Sequence, residues 1–196
     1  MKYSAAKTYI LRMLKRELPS NLHYHGLHHT WDVYNSAKLI ALNEGIPEQE
    51  SKLLLTATLF HDTGYIKSYL DNESIAIDLV KEILPSFGFK KSGISLICSI
   101  IESTIPDRVP QTMLEKIMSD ADHDYFGRSD YHLIADSFKR ELVEYNIAMS
   151  DKIWIEKQLD YLENRHRFLT ETSIGMRVKR KKKNILELKE KLLELQ

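Results

Sequence analysis

Histidines and aspartates are concentrated in three short segments, and these residue types can bind a divalent metal ion. Four of the eight histidines lie in Asn21-Leu-His-Tyr-His-Gly-Leu-His-His-Thr30, one begins the pair His61-Asp62, and one lies in Asp120-Ala-Asp-His-Asp124. Imidazole and carboxylate ligands without thiolate are typical of hydrolytic centres that hold Zn, Mn, Fe(II), Co or Mg. A metal in such a centre lowers the pKa of a coordinated water toward roughly 7 and offsets phosphate charge. The three segments therefore indicate metal-assisted hydrolysis.

Apolar residues recur at helical spacing along the chain and predict the helices that position these segments. A first amphipathic helix ends at Pro19, and a loop over 20–27 then carries the first histidines. The helix that begins at Pro47 is apolar on nearly all faces through Leu53-Leu-Leu-Thr-Ala-Thr-Leu-Phe60, which indicates a central position in the core. The pair His61-Asp62 follows directly at the end of this helix. Asn72 or Ser74 is predicted to cap the next helix, and a later helix is predicted over about 151–168. No strand alternation is evident, so the predicted fold class is all-α.

Composition limits the class of protein. The 196 residues allow one domain with a sizeable core, and the formal net charge of zero provides no overall field to attract nucleic acid or membrane. Cys98 is the single cysteine, which excludes a disulfide framework and a thiolate-rich zinc site and is typical of a reducing compartment. No apolar run has the length of a signal peptide or membrane span. We therefore predict a cytoplasmic protein without a membrane partner.

The three segments resemble motifs of the HD-domain superfamily of metal-dependent phosphohydrolases. Tyr24-His-Gly-Leu-His-His-Thr-Trp-Asp-Val33 is similar to the Tyr-His-Asn-x-x-His-(Thr or Ala)-x-x-Val segment of these enzymes and of cyclic-nucleotide phosphodiesterases. Leu59-Phe-His-Asp-Thr-Gly-Tyr65 matches the motif that names the family, and Asp120-Ala-Asp-His-Asp-Tyr-Phe-Gly-Arg128 resembles its Asp-Ala-Asp-x-x-x-x-Gly segment. The resemblance implies a single HD-type helical bundle. Its expected parts are an N-terminal helix over 1–19, a metal-binding core over 20–130, and C-terminal helices over 131–196 packed on that core.

The resemblance also implies a ligand set of His29, His61, Asp62 and Asp122. The choice of His29 over His28 and of Asp122 over Asp120 rests on motif alignment alone, and Asp120 is the alternative final ligand. No histidine lies between His61 and His123, and Asn72-Glu73 stands where some relatives have His-Glu. We therefore expect one tightly held divalent ion, of unspecified identity among Mn, Fe, Co, Ni, Mg and Zn.

Further residues flanking these segments are candidates for catalysis or substrate binding. His25 matches the position of the general acid in cyclic-nucleotide phosphodiesterases, although a loop histidine bonded to backbone explains it equally well. Glu73 is a candidate for orienting water or a ligand, or else an ordinary acid in the first turn of a helix. Lys67, Arg108 and Arg128 are candidate phosphate contacts, and a solvated surface charge is the default for each.

The predicted function is hydrolysis of a phosphomonoester or phosphodiester bond, in a nucleotide substrate, with Asp62 and His25 as catalytic residues. The alternative is a catalytically silent regulatory module that binds metal and nucleotide. A di-iron oxygenase would need more ligands than the sequence offers. The basic run Arg177-Val-Lys-Arg-Lys-Lys-Lys183 suggests nucleic-acid binding, but we expect a solvated helix face because acidic residues elsewhere cancel its charge. The apolar last helix can pack on the body or on a second copy, and the second arrangement would form a homodimer.

Overall fold

The computed structural model describes residues 1–195, and within them all regular structure is helical. The helices are α1 Tyr3–Glu17, α2 Leu27–Asn43, α3 Glu48–Phe60, α4 Asn72–Ile83, α5 Lys91–Glu102, α6 Met113–Asp122, α7 Tyr131–Glu144, α8 Asp151–Asp160 and α9 Glu171–Glu194. Short 3-10 turns occupy Thr63–Ile66, Leu84–Phe87 and Asp124–Gly127, and a π turn occupies Tyr161–Arg165. This architecture confirms the predicted all-α bundle.

The first hydrophobic cluster lies among α1 to α6, with α3 at its centre. Every residue from 54 to 60 in α3 is buried, as the sequence predicts for a helix that is apolar on nearly all faces. This helix packs against α1, α2 and α5, and its C-terminal end lies near α6. Since the packed core fixes α3 on several sides, the residues that follow Phe60 have a rigid support.

A second hydrophobic cluster joins α7, α8 and α9 to the turn that follows α6. Gly127 lies so close to α9 that an added Cβ would be 2.4 Å from Cβ of Arg177. The Asn184 side-chain amide donates to the carbonyls of Phe126 and Arg128, each at 2.9 Å. These contacts fix α9 against the chain segment that follows Asp122.

One local prediction is wrong, and another holds only in part. Neither Asn72 nor Ser74 caps α4, because the N-cap position is Asp71, with φ at 60°, and no side chain bonds to the first turn. The predicted helix over 151–168 is regular only to Asp160 and then continues as the π turn to Arg165.

Among residues 1–195, no helix is both long and apolar enough to cross a membrane.

Candidate metal centre

Three helix ends bring together the four predicted ligands. His29 lies in the first turn of α2, His61 and Asp62 follow the last residue of α3, and Asp122 ends α6. Helix α2 packs against both α3 and α6, so these ends lie together. The side chains of His29, His61 and Asp62 are more than nine-tenths buried, and that of Asp122 is 17% exposed.

The ligand atoms of these residues lie close enough to surround one ion. The Nε2 atom of His29 is 3.1 Å from Oδ1 of Asp122 and 3.5 Å from Oδ2 of Asp62. The Nε2 atom of His61 is 3.2 Å from Oδ2 of Asp62 and 3.6 Å from Oδ1 of Asp122. In His29, His61 and Asp122, one ligand atom of each lies within 4.8 Å of the others. Two imidazoles and two carboxylates form a donor set that suits a hydrolytic divalent ion.

Two atoms of the cluster are buried without a hydrogen-bond partner, Nε2 of His61 and Oδ2 of Asp62. The other polar atom of each side chain has a hydrogen-bond partner. His61 donates from Nδ1 to the carbonyl of Thr58 at 2.8 Å, and Oδ1 of Asp62 accepts from the Asn72 amide at 3.3 Å. A donating Nδ1 leaves the lone pair of Nε2 free for a ligand bond. Since unpaired buried polar atoms are costly, this arrangement fits a cation held between the two atoms.

The charges in the cluster perturb one another strongly. Burial lowers the pKa of His61 and raises that of Asp122, but the attraction between the groups outweighs burial in both. The pKa of His61 lies well above its usual value because Asp62 and Asp122 are adjacent, and the pKa of Asp122 lies well below. The carboxylates therefore favour positive charge at this position, which a proton or a metal ion can supply.

The two alternative ligands, Asp120 and His28, lie outside the cluster of four. The carboxylate of Asp120 accepts hydrogen bonds from the backbone amides of Leu169 and Thr170, each at 2.8 Å, and from the Thr170 hydroxyl at 2.7 Å. It thus holds the start of α9, and burial raises its pKa. His28 is half-buried, and burial followed by the charge of His29 lowers its pKa. Neither residue belongs to the cluster of four.

His25 lies beside the cluster in an aromatic setting. Its ring centroid is 5.8 Å from that of His29 and 4.4 Å from that of Tyr65, whose hydroxyl lies 3.3 Å from Nε2 of His25. The Nδ1 atom of His25 is 2.5 Å from Oε1 of Glu141. The ring of this loop histidine is therefore bonded to a buried carboxylate, and its backbone amide donates to the same carboxylate at 2.9 Å.

Glu141 was not predicted from the sequence to contribute to the site. It lies on α7, on the face that also carries the inward-facing Phe138 and Ala135, and its side chain is fully buried. Because burial of an unpaired carboxylate is costly, an acidic residue on the apolar face of a helix is a signal for a paired buried charge. That pattern, applied to α7, identifies Glu141.

The remaining candidates lie around the site in different environments. Glu73 is half-buried in the first turn of α4, and Lys67 is exposed. Arg108 is exposed and pairs with Glu102 at 2.9 Å. Arg128 is engaged by carboxylates, since it donates to Asp32 at 2.6 Å and to both oxygens of Asp130. The structure brings none of the three cations into the ligand cluster.

A family model of the HD domain matches residues 26–125, which is more than half of the chain. The chain therefore belongs to the HD domain family, which confirms the resemblance seen in the motifs. HD domains bind divalent metals, and the proximity of His29, His61 and Asp122 agrees with that property.

The crystal structure of Bacillus subtilis YpgQ in complex with ADP is similar to this chain. The TM-score is 0.68 at 19% sequence identity, and the alignment covers 97% of this chain and 95% of the other. At this identity the similarity supports the fold, and its coverage includes helices α7 to α9, which lie outside the family match. No curated protein matches this chain.

Proposed function

We propose that this protein is a metal-dependent phosphohydrolase that cleaves a phosphomonoester or phosphodiester bond of a nucleotide. One observation carries the proposal: four side chains from three helix ends converge, and two of their buried ligand atoms have no hydrogen-bond partner. A closed structural zinc site would use four tightly held ligands, commonly with thiolates, whereas two imidazoles and two carboxylates are typical of hydrolytic centres.

Each residue of the centre has a role that follows from its contacts. His29, His61, Asp62 and Asp122 would hold the ion. A bound divalent ion supplies a nucleophile by lowering the pKa of coordinated water and offsets charge on the phosphate. Asp62 has one oxygen held by Asn72 and the other free, so it can orient a water molecule as well as the ion.

His25 is the proposed proton donor to the leaving group. Its ring centroid lies 5.8 Å from that of His29, so a substrate phosphate bound at the centre would lie close to the His25 ring. In a cationic ring, whose Nδ1 proton stays bonded to Glu141, a proton delivered from Nε2 to the leaving oxygen would contribute about 10²–10⁴-fold to the rate, as general acids do. Glu73, Lys67 and Arg108 are proposed as more distant substrate contacts, and Arg128 is already occupied by carboxylates.

Two observations support a nucleotide as the substrate. The similar YpgQ structure was solved in complex with ADP. Next to the centre of this chain, the ring of Tyr65 packs on His25, and the rings of Tyr69 and Tyr145 stack at 3.6 Å. Aromatic faces near a phosphate-binding centre can contact a nucleobase.

The test is metal-dependent hydrolysis by the purified chain. The metal-free protein is loaded in turn with Mn²⁺, Co²⁺, Mg²⁺, Ni²⁺ and Fe²⁺, its metal content is measured, and phosphate release is followed over a nucleotide panel. His29→Gln should abolish both metal retention and turnover. His28→Gln is the matched control, because this neighbouring histidine lies outside the cluster and should leave both unchanged.

The outcome separates the proposal from its main rival. A catalytically silent module would retain the metal and bind nucleotide saturably, yet release no product from any member of the panel. Equal loss of activity in the His28 and His29 variants would also contradict the proposed centre, since only one of these rings contributes a ligand atom.

A further inference from the structure

The carboxylate of Glu141 is fully buried and accepts four hydrogen bonds. Its Oε2 atom accepts from the backbone amides of Tyr24 at 2.7 Å and His25 at 2.9 Å. Its Oε1 atom pairs with Nδ1 of His25 at 2.5 Å and accepts from the Tyr69 hydroxyl at 3.1 Å. Both oxygens are therefore fully used, and three of the four donors belong to the segment that leads into α2 or to its histidine ring.

Glu141 connects parts of the chain that are distant in sequence. It lies on α7, more than a hundred residues after His25, while Tyr69 belongs to the segment between α3 and α4. Both Glu141 and His25 lie outside the residues matched by the HD family model. The C-terminal helices thus supply a contact to the centre that the matched segment by itself does not contain.

We propose that Glu141 is the positioning residue that selects the tautomer and direction of the His25 ring. A carboxylate can only accept, so the Nδ1 atom of His25 must be the donor in this pair. The Nε2 atom, which faces Tyr65, is then the nitrogen available for proton exchange with a substrate. The consequence for catalysis rests on the proposed function, whereas the tautomer is a property of the free protein.

Glu141→Gln tests this role without removing the side chain. The two backbone amides of residues 24 and 25 require an acceptor, so the amide oxygen of glutamine is expected to face them. Its NH₂ group then faces Nδ1 of His25, which must become the acceptor. The substitution preserves shape and the backbone contacts but reverses the ring tautomer, a change that a purely structural role for Glu141 would not require.

The first measurement is ¹⁵N NMR of the histidine rings in the metal-free protein. In the wild-type chain, Nδ1 of His25 should carry a proton, and in Glu141→Gln the proton should move to Nε2. Tyr69→Phe is the matched control, since it removes one donor from Glu141 and leaves the His25 pair in place. An unprotonated Nδ1 in the wild-type protein overturns the proposal, even if Glu141→Gln does not fold.

The second measurement is steady-state kinetics on any substrate that the panel identifies. Glu141→Gln should lower kcat by about 10–100-fold, the loss typical of removing a group that orients another, because a ring whose Nδ1 accepts from glutamine is neutral and has no acidic proton to donate. KM and metal content should stay nearly unchanged. Glu144→Gln, the same change at an exposed residue of α7, should stay close to wild type. The double variant with His25→Gln should be no slower than His25→Gln alone, since both act through one ring. Independent, multiplying losses would overturn the proposal. If no wild-type substrate is found, the proposed function fails while the NMR result still decides the tautomer.

Discussion

Gly64 provides a sharp test of how the HD motif supports the metal centre. An added Cβ at this position would lie 2.0 Å from the backbone oxygen of Asn72 and 2.7 Å from its Cα. Ordinary contacts lie near 3.5 Å, so the start of α4 would have to retreat by roughly 1.5 Å. The contact is with backbone rather than with a flexible side chain, so no rotamer change relieves it.

The retreat would also weaken the support of Asp62. The Asn72 amide donates to the carbonyl of His61 at 3.1 Å and to Oδ1 of Asp62 at 3.3 Å, and both bonds would exceed hydrogen-bonding length. We expect Gly64→Ala to cost about 2–4 kcal/mol, from overpacking of about 1–3 kcal/mol and about 1 kcal/mol of lost hydrogen bonding. Loss of a group that orients a ligand should also weaken metal affinity by about 10–100-fold.

Thermal unfolding with chelator and calorimetric titration with Mn²⁺ measure the two effects. For a chain of this length the melting temperature should fall by roughly 5–15 °C. Gly175→Ala in α9 is the control: an added Cβ there meets nothing within 4 Å, so the protein should gain about 0.5–1 kcal/mol. If Gly64→Ala melts within about 2 °C of wild type and binds Mn²⁺ as tightly, the packing argument is refuted.

Three further predictions concern stability and metal binding. Asp120→Ala should lower the free energy of unfolding by about 3 kcal/mol, because it leaves the buried donors at the start of α9 unpaired. The metal content should stay unchanged, and a loss of metal would contradict the different roles of Asp120 and Asp122. Burial, then the charges of His123, Lys181 and Arg167, lower the pKa of His166 to about 2. Because the unfolded chain protonates this ring near pH 6.5 and the folded chain does not, the contribution of neutral His166 to the free energy of unfolding is complete above about pH 6.5 and lost below it. The loss should reach about 2 kcal/mol at pH 5. His166→Phe should remove that part of the pH dependence, as measured by denaturant titrations. Chelation should lower the melting temperature of the metal-loaded protein, since an ion at 100 times its Kd adds about 2.7 kcal/mol; identical melts with and without chelator would contradict a folded-state metal site.

Local sequence accounts for the fold class and for the firmest part of the centre. Apolar spacing alone predicts α3 as a buried central helix, and the adjacency of His61 and Asp62 places these two predicted ligands at its end whatever the rest of the chain does. Short-range patterns succeed here because helix periodicity and the end of a buried helix are properties of consecutive residues.

Tertiary structure decided which neighbouring residues face the centre and what supports them. Asp120 and Asp122 lie two residues apart on α6, so their side chains leave the helix in different directions, one toward the start of α9 and one toward His29. Asn72 carries a helix-capping residue type but instead holds Asp62, and Glu141 reaches His25 from more than a hundred residues away. Local composition does not encode these pairings, because the lateral packing of helices α3, α4, α6, α7 and α9 determines which side chains meet.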